Sequence, residues 1–177
     1  MRRADLVADC ARCAGVCCVA TSFEASEDFA IDKPAGVACR HLSRDARCSI
    51  YGERERRGFS GCTLFDCYGA GPHATRLQSR ASLSNRERDA AFRVLRELFE
   101  LLWLLSEAEK LCPAAQPDLR AQLSAQITAL DASAGGSLAT LCELDLEALQ
   151  CSCRALLRRV GAAIGGRSAA RVLPVVK

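Results

Sequence analysis

The stretch Cys10-Ala11-Arg12-Cys13-Ala14-Gly15-Val16-Cys17-Cys18 decides how the first part of this chain folds. Cys39, Cys48, Cys62 and Cys67 complete the set, so eight of the chain's twelve cysteines lie between positions 10 and 67. Thiols at this density chelate soft or borderline metals, pair as disulfides, or carry redox chemistry. A C-x2-C turn sets two sulfurs on one side of a tight loop, as two ligands of a tetrahedral site require, and Cys10 and Cys13 fit that role. Cys17 and Cys18 are adjacent, so their side chains diverge. They are expected to serve two different metals, or to act as one ligand and one packed thiol. Eight thiolates satisfy two tetrahedral sites, or one iron–sulfur cluster with thiols to spare.

Composition bounds the rest. A chain of 177 residues holds one domain of usual size, or a small module and a helical one. A net charge of +3 is too small to point to nucleic acid. Lys33, Lys110 and Lys177 are the only lysines, so 21 of the 24 basic residues are arginine. The longest purely apolar run, Leu101 to Leu105, is far short of the roughly 20 residues that span a bilayer. The basic start is not followed by an apolar stretch of signal-peptide length, and Asp9 stands where a lipobox needs a small residue. The expected compartment is the cytoplasm, where thiols stay reduced, which favours metal over disulfides.

The fold expected is mainly α: a small irregular cysteine-rich module stapled by metal, followed by an antiparallel bundle of about three helices. Residues 1–72 form the module, which has too little apolar surface for a core of its own. Short ordered pieces are expected near Ser26–Ile31 and Ile50–Arg56. Gly69-Ala70-Gly71-Pro72-His73 reads as a turn, and residues 73–83 as a linker. The bundle occupies 84–166. Ser84-Asn85-Arg86-Glu87 has the form of a capping box. Phe92, Leu95, Phe99, Leu102 and Leu105 follow at helical spacing, and the helix should stop near Leu111 because Cys112 precedes Pro113. A second helix over 117–133 carries Leu119, Leu123, Ile127 and Leu130 inward and ends at Gly135-Gly136. Asp145 caps a third, with Leu146, Leu149, Cys153, Leu156, Val160 and Ile164 inward. A short helical turn over 137–142 joins them, and 167–177 are expected to be a flexible tail.

Arg40, Arg44, Arg47, Arg54, Arg56 and Arg57 surround the later cysteines against Asp45, Glu53 and Glu55. They offset thiolate charge or form a solvated basic loop. Cys10-Ala11-Arg12-Cys13 lacks the strand–helix surroundings of a thioredoxin-like redox pair, and the spacing runs opposite to the C-x3-C-x2-C of radical enzymes. With Cys10-x2-Cys13-x3-Cys17-Cys18, then Cys39-Arg40-His41-Leu42, Cys48-Ser49-Ile50-Tyr51, Cys62 and Cys67, residues 10 to 68 resemble the YkgJ-type cysteine-cluster family. The resemblance implies zinc or iron chelation and eight candidate ligands: Cys10, Cys13, Cys17, Cys18, Cys39, Cys48, Cys62 and Cys67. Arg57-Gly58 stands where family members often have Arg-Pro. Phe65 to Gly71 and the later Leu102-Trp103 also resemble the region that precedes pentapeptide repeats in some actinobacterial proteins, without any such repeat here. Flagellin lysine methylases carry a similar cysteine pattern in longer chains; this chain is short for that activity and shows no cofactor-binding glycine motif.

Cys112, Cys142, Cys151 and Cys153 are expected to be small packed residues of the helices, and His41 a surface histidine or accessory ligand. Trp103 reads as core, or as part of a surface for a protein partner. No triad, phosphate loop or carboxylate pair stands out. The expected function is therefore a metal-binding protein holding zinc or an iron–sulfur cluster, structural or regulatory. The alternatives are a redox sensor or enzyme with a reactive cluster, and an interaction scaffold with reduced cysteines.

Overall fold

The structure, a computed structural model, describes residues 6–165; the tail expected over 167–177 lies outside them. The described residues are mainly helical. Seven helices occur among them: α1 (Cys17–Ala20), α2 (Ser60–Leu64), α3 (Ala70–Ala81), α4 (Asn85–Leu111), α5 (Pro117–Ala134), α6 (Leu138–Cys142) and α7 (Leu146–Ala163). Among the described residues, β pairing is confined to two isolated antiparallel bridges, Phe23 with Lys33 and Leu42 with Cys48. The chain divides into two compact units, the first ending at Arg96 and the second beginning at Glu97.

The second unit is built as the leucine spacing requires. Phe99, Leu102 and Leu105 are buried, and so are Leu98, Leu101 and Leu104. The buried residues of α4 thus cover more than half of the helix circumference in this part, a stripe wider than one narrow face. In α5 Leu119, Leu123 and Leu130 are buried, and in α7 Cys153, Leu156 and Val160. These two helices run antiparallel. Arg159 Nη1 donates to Gln122 Oε1 at 2.5 Å, and Gln126 Nε2 donates to Cys153 Sγ at 3.9 Å, so the register descends on one helix as it climbs the other. Asp145 caps α7 by accepting from the Ala148 N–H at 2.9 Å. Ile164, expected inward, is 43% exposed because the helix has already ended at Ala163.

The capping box forms: the Ser84 N–H donates to Glu87 Oε2 at 2.8 Å, and the Glu87 N–H donates to Ser84 Oγ at 3.3 Å. The linker over 73–83 is corrected. Those residues belong largely to α3, which starts at Ala70 and ends with Ser82 in the left-handed conformation. Pro72 lies in the first turn of α3, where its missing N–H costs nothing. The expected boundary also moves, since the division between units falls inside α4. Of the short pieces, Ile50–Arg56 is met by 3-10 turns at Tyr51–Glu53 and Glu55–Arg57, whereas Ser26–Ile31 has bends only.

Candidate metal centre

The first C-x2-C sits on a 3-10 turn, Cys10–Arg12. Asp9 closes it from the front: its Oδ1 accepts from the Ala11 N–H at 2.9 Å, and its Oδ2 pairs with Arg12 Nε at 2.6 Å. From behind, the Arg47 guanidinium donates to the Cys10 carbonyl and to the Ala11 carbonyl, the latter at 3.1 Å. The turn packs on α3, where Thr75 Oγ1 accepts from the Ala14 N–H at 3.0 Å. Gly15 then adopts a left-handed conformation (φ 64°), which turns the chain into α1 and its Cys17-Cys18 pair.

The later cysteines are hung from the same helix. The Cys39 N–H donates to the Cys18 carbonyl at 2.9 Å, and the Leu42 N–H donates to the Cys39 carbonyl at 2.9 Å. The bridge between Leu42 and Cys48 closes the loop over Ser43–Arg47. Arg54 reaches back from the 3-10 turns. Its Nε donates to the Tyr51 carbonyl at 2.9 Å and its Nη1 to the Cys62 carbonyl at 3.1 Å, with the guanidinium 4.0 Å from the Tyr51 ring centre. Phe23 stacks on Phe29 at 4.3 Å, and Phe59 meets Phe23 at 6.3 Å and His41 at 5.1 Å, both edge-on. His41 is thus against an aromatic ring at the cavity wall, and burial lowers its pKa, with Arg40 and Arg57 adding repulsion.

Seven of the eight sequence-predicted cysteines line one cavity of about 830 Å3; the aromatic side chains and Arg54 share its wall. The eighth, Cys67, is buried. It lies beside Cys13: a methyl group built on Gly71 would stand 2.8 Å from Cys13 Sγ and 3.8 Å from Cys67 Sγ. Cys67 lies three residues before α3 and its carbonyl accepts from the Ala70 N–H at 2.8 Å, while the nearby Gly71 and Gly69 N–H groups oppose the rise that burial gives its thiol.

Burial raises the Cys10, Cys48, Cys62 and Cys67 thiols, Cys62 up to about 11, and like-charge neighbours add to the effect. Among the cysteines, Cys10 and Cys67 respond most to Cys13, and Cys10 next to Cys67 and then to Cys18. Cys48 responds to Cys18 and Cys39, and Cys62 to Cys18, Cys39 and Cys48. The Cys17 thiol is raised, first by a hydrogen bond to Cys18 and then by burial, with repulsion from Cys18, Cys13 and Cys67 adding to it. Cys18 is lowered, first by that hydrogen bond, then by Lys33 and Arg54. Cys67 lies close to Cys13 across Gly71, and Cys39 is tied to Cys18 by a main-chain hydrogen bond. Among the described residues, no group of three Cys, His, Asp or Glu side chains has the donor geometry of a formed metal site.

Sequence reasoning missed Lys33. It is 4% exposed, and its Nζ donates to the carbonyls of Val19 (3.1 Å), Thr21 and Pro34 (3.2 Å). The available signal was its rarity: it is the one lysine before Lys110 in a chain that otherwise uses arginine. Three carbonyls converging on one point suit a compact ammonium better than a planar guanidinium fork. Of the arginines, Arg47 and Arg54 line the cavity, while Arg56 and Arg57 pair with Glu53 and Arg40 and Arg44 are exposed. Cys112 and Cys153 are packed as expected. Cys142 and Cys151 are exposed, a correction; Cys151 is two residues from inward-facing Cys153 and so lies on the far side of α7.

No helix among the described residues is long and apolar enough to cross a membrane. No family model matches the chain, so the YkgJ-type resemblance gains no support there, and no solved structure matches it. The chain is similar to YybG of Bacillus subtilis (strain 168), a protein described as uncharacterized, with 38% identity over 111 residues. That alignment covers 59% of this chain and 39% of YybG, so the chain matches well under half of that relative's length.

Proposed function

We propose that the first unit is a thiolate metal-binding module with two centres, one on Cys10, Cys13, Cys17 and Cys67 and one on Cys18, Cys39, Cys48 and Cys62. The observation that carries this is the gathering of seven of the cysteines on one cavity, with Cys67 close to Cys13 and Cys39 tied to Cys18 by a main-chain hydrogen bond. It supports two four-sulfur sets, the donor number that closed tetrahedral zinc sites use. Four thiolates around a divalent ion leave a net charge of −2, and Lys33 and Arg54 bring positive charge to the thiols. The donors are not in ligating geometry as they stand. Metal uptake therefore includes rotation of the cysteine side chains, and the α1 backbone holds Cys18 and Cys39 together beforehand. Bound metal supplies a cross-link between loops that bury few large apolar side chains. The role is structural or regulatory, with the helical second unit as the surface for a protein partner. Membership of the YkgJ-type cysteine-cluster family is part of the same proposal.

A second reading has one observation in its favour. A cavity of about 830 Å3 has room for more than bare ions, and cysteine sets of four also hold iron–sulfur clusters. The test is metal and sulfide analysis of anaerobically purified protein, with its absorption spectrum, after expression with both metals supplied. A colourless protein with about two equivalents of zinc is expected. A brown protein with iron and sulfide moves the assignment to clusters and a redox role. Less than about half an equivalent of either metal leaves a scaffold with reduced cysteines.

A further inference from the structure

Helix α3 brings together two thiols that are far apart in sequence. A methyl group built on Gly71 would stand 2.8 Å from Cys13 Sγ, 3.9 Å from Cys13 Cβ and 3.8 Å from Cys67 Sγ. Both sulfurs thus lie against one backbone position in the first turn of α3, and glycine is the residue that keeps the space beside them clear. Each thiol is also held from its own side. The Ala14 N–H, next to Cys13, donates to Thr75 Oγ1 at 3.0 Å, and Thr75 Oγ1 donates to the Gly71 carbonyl at 2.9 Å. The Ala70 N–H donates to the Cys67 carbonyl at 2.8 Å, and Gly69 turns the chain into α3 in the left-handed conformation (φ 86°).

The two thiols differ in access. Cys13 is half-buried and lines the cavity, whereas Cys67 is buried behind it. A small oxidant that enters the cavity meets Cys13 first, with Cys67 placed as the resolving thiol. Cys13 is also the member of the C-x2-C turn whose sulfur is aimed at α3, while Cys10 is exposed.

We infer that Cys13 and Cys67 are a peroxide-sensitive redox pair, whose disulfide clamps the Cys10 turn to the start of α3. The Cys13 sulfur attacks one oxygen of hydrogen peroxide. The O–O bond breaks, and the leaving hydroxide takes the Cys13 proton as water. The Cys67 sulfur then attacks the Cys13 sulfenic acid: the S–S bond forms, the S–O bond breaks, and the hydroxide leaves as a second water with the Cys67 proton. The two thiols lose two electrons and one peroxide gains them. A low-molecular-weight thiol reverses the step by exchange. The disulfide closes the loop that carries Cys17, Cys18, Cys39, Cys48 and Cys62, so oxidation tightens the module. This pairing needs no metal. Where Cys13 and Cys67 hold a metal ion, the same step withdraws two of its ligands.

The test adds limiting hydrogen peroxide to full-length protein purified anaerobically, blocks the remaining thiols with N-ethylmaleimide, and maps disulfides by tandem mass spectrometry. The first disulfide is expected between Cys13 and Cys67. Cys67→Ser should abolish it and leave Cys13 as a sulfenic acid that dimedone captures, whereas Cys13→Ser should abolish it and leave Cys67 unmodified. Gly71→Ala keeps both thiols but sets a methyl against both sulfurs, and should slow the disulfide severalfold. The wild-type map decides the matter by itself should a variant fail to fold. A first disulfide between Cys10 and Cys13 or between Cys17 and Cys18, or a Cys67 that stays reduced, overturns the inference. Zinc measured in the same samples separates it from the metal proposal. Metal-free protein that forms the Cys13–Cys67 disulfide overturns the metal reading alone, and zinc-loaded protein that first pairs other cysteines overturns the redox pair alone.

Discussion

The residues before Ala70 and those after Glu97 reach a folded state by different means. Among its described residues the first stretch buries only Leu6, Val16, Ala20, Ile50, Phe59 and Cys67 as apolar residues, and its backbone is joined by turns, isolated bridges, 3-10 segments and the short helices α1 and α2. The second has leucine on most inward positions of α4, α5 and α7. Where leucine is plentiful, burial selects the fold and individual polar contacts are trimming. Where it is scarce, the chain is shaped by charged side chains that reach main-chain carbonyls: Arg47 at Cys10 and Ala11, Arg54 at Tyr51 and Cys62, and Lys33 at Val19, Thr21 and Pro34. These contacts fix where the sulfurs are, and they add too little burial to hold the loops alone.

The sharpest way to break this contrast is to strip the metal proposed for the first unit. Tyr51 and Tyr68 are the only tyrosines and lie in the first unit; Trp103 is the only tryptophan and lies in the second. Structural zinc contributes on the order of 10 kcal/mol to small modules. Urea titrations with and without chelator should therefore show a large loss of stability in the tyrosine signal and little change in tryptophan fluorescence. A shared transition in both signals would mean the units depend on one core.

A core truncation does the reverse. Leu123 is completely buried in α5, so Leu123→Ala should cost about 3 kcal/mol in the tryptophan-monitored transition. Zinc content should stay at the wild-type value, and a parallel loss of zinc would contradict the division of labour.

Gly71→Ala probes the link between α3 and the cysteines. Its added methyl would stand 2.8 Å from Cys13 Sγ, so about 1–3 kcal/mol of overpacking is expected, with metal lost from the set that contains Cys13. Gly52→Ala, where the methyl meets nothing within 4 Å, is the control and should keep full zinc content.

The smallest effect belongs to the α4 cap. Ser84→Ala should remove about 1 kcal/mol by removing the acceptor for the Glu87 N–H. Hydrogen bonds from Ser84 hold the Glu87 carboxyl below its ordinary 4.5. Its contribution is therefore fully present above pH 4.5 and is lost as pH falls through the lower folded value. Thermal melts between pH 7 and pH 3 should show the wild-type advantage over Glu87→Gln shrinking across that interval; an unchanged advantage at pH 3 would remove the cap from the explanation.

The bundle was legible because its signals are local and repeated. Ser84 and Glu87, Cys112 before Pro113, Pro117 at the start of α5 and Asp145 before α7 each act within a few residues, and the structure ends its helices there. Helix α3 was not legible, since Gly69, Gly71 and Pro72 outweigh its later residues on propensity. Its glycines serve a tertiary purpose: Gly71 lets the backbone pass Cys13 and Cys67. The gathering of seven cysteines at one cavity followed from their number and order, whereas the place of Cys67 close to Cys13 did not, because it depends on α3 packing against the Cys10 turn. Lys33 escaped notice since its role depends on three carbonyls spread over Val19 to Pro34.

Zinc stoichiometry of the wild-type protein beside Cys13→Ser, Cys39→Ser and the double variant tests the two-centre organisation most directly. Two centres of four thiols give about two equivalents for the wild type, about one for each single variant, and close to none for the double. Wild-type protein with less than about half an equivalent, or a single variant that loses all its zinc, would contradict two separate centres.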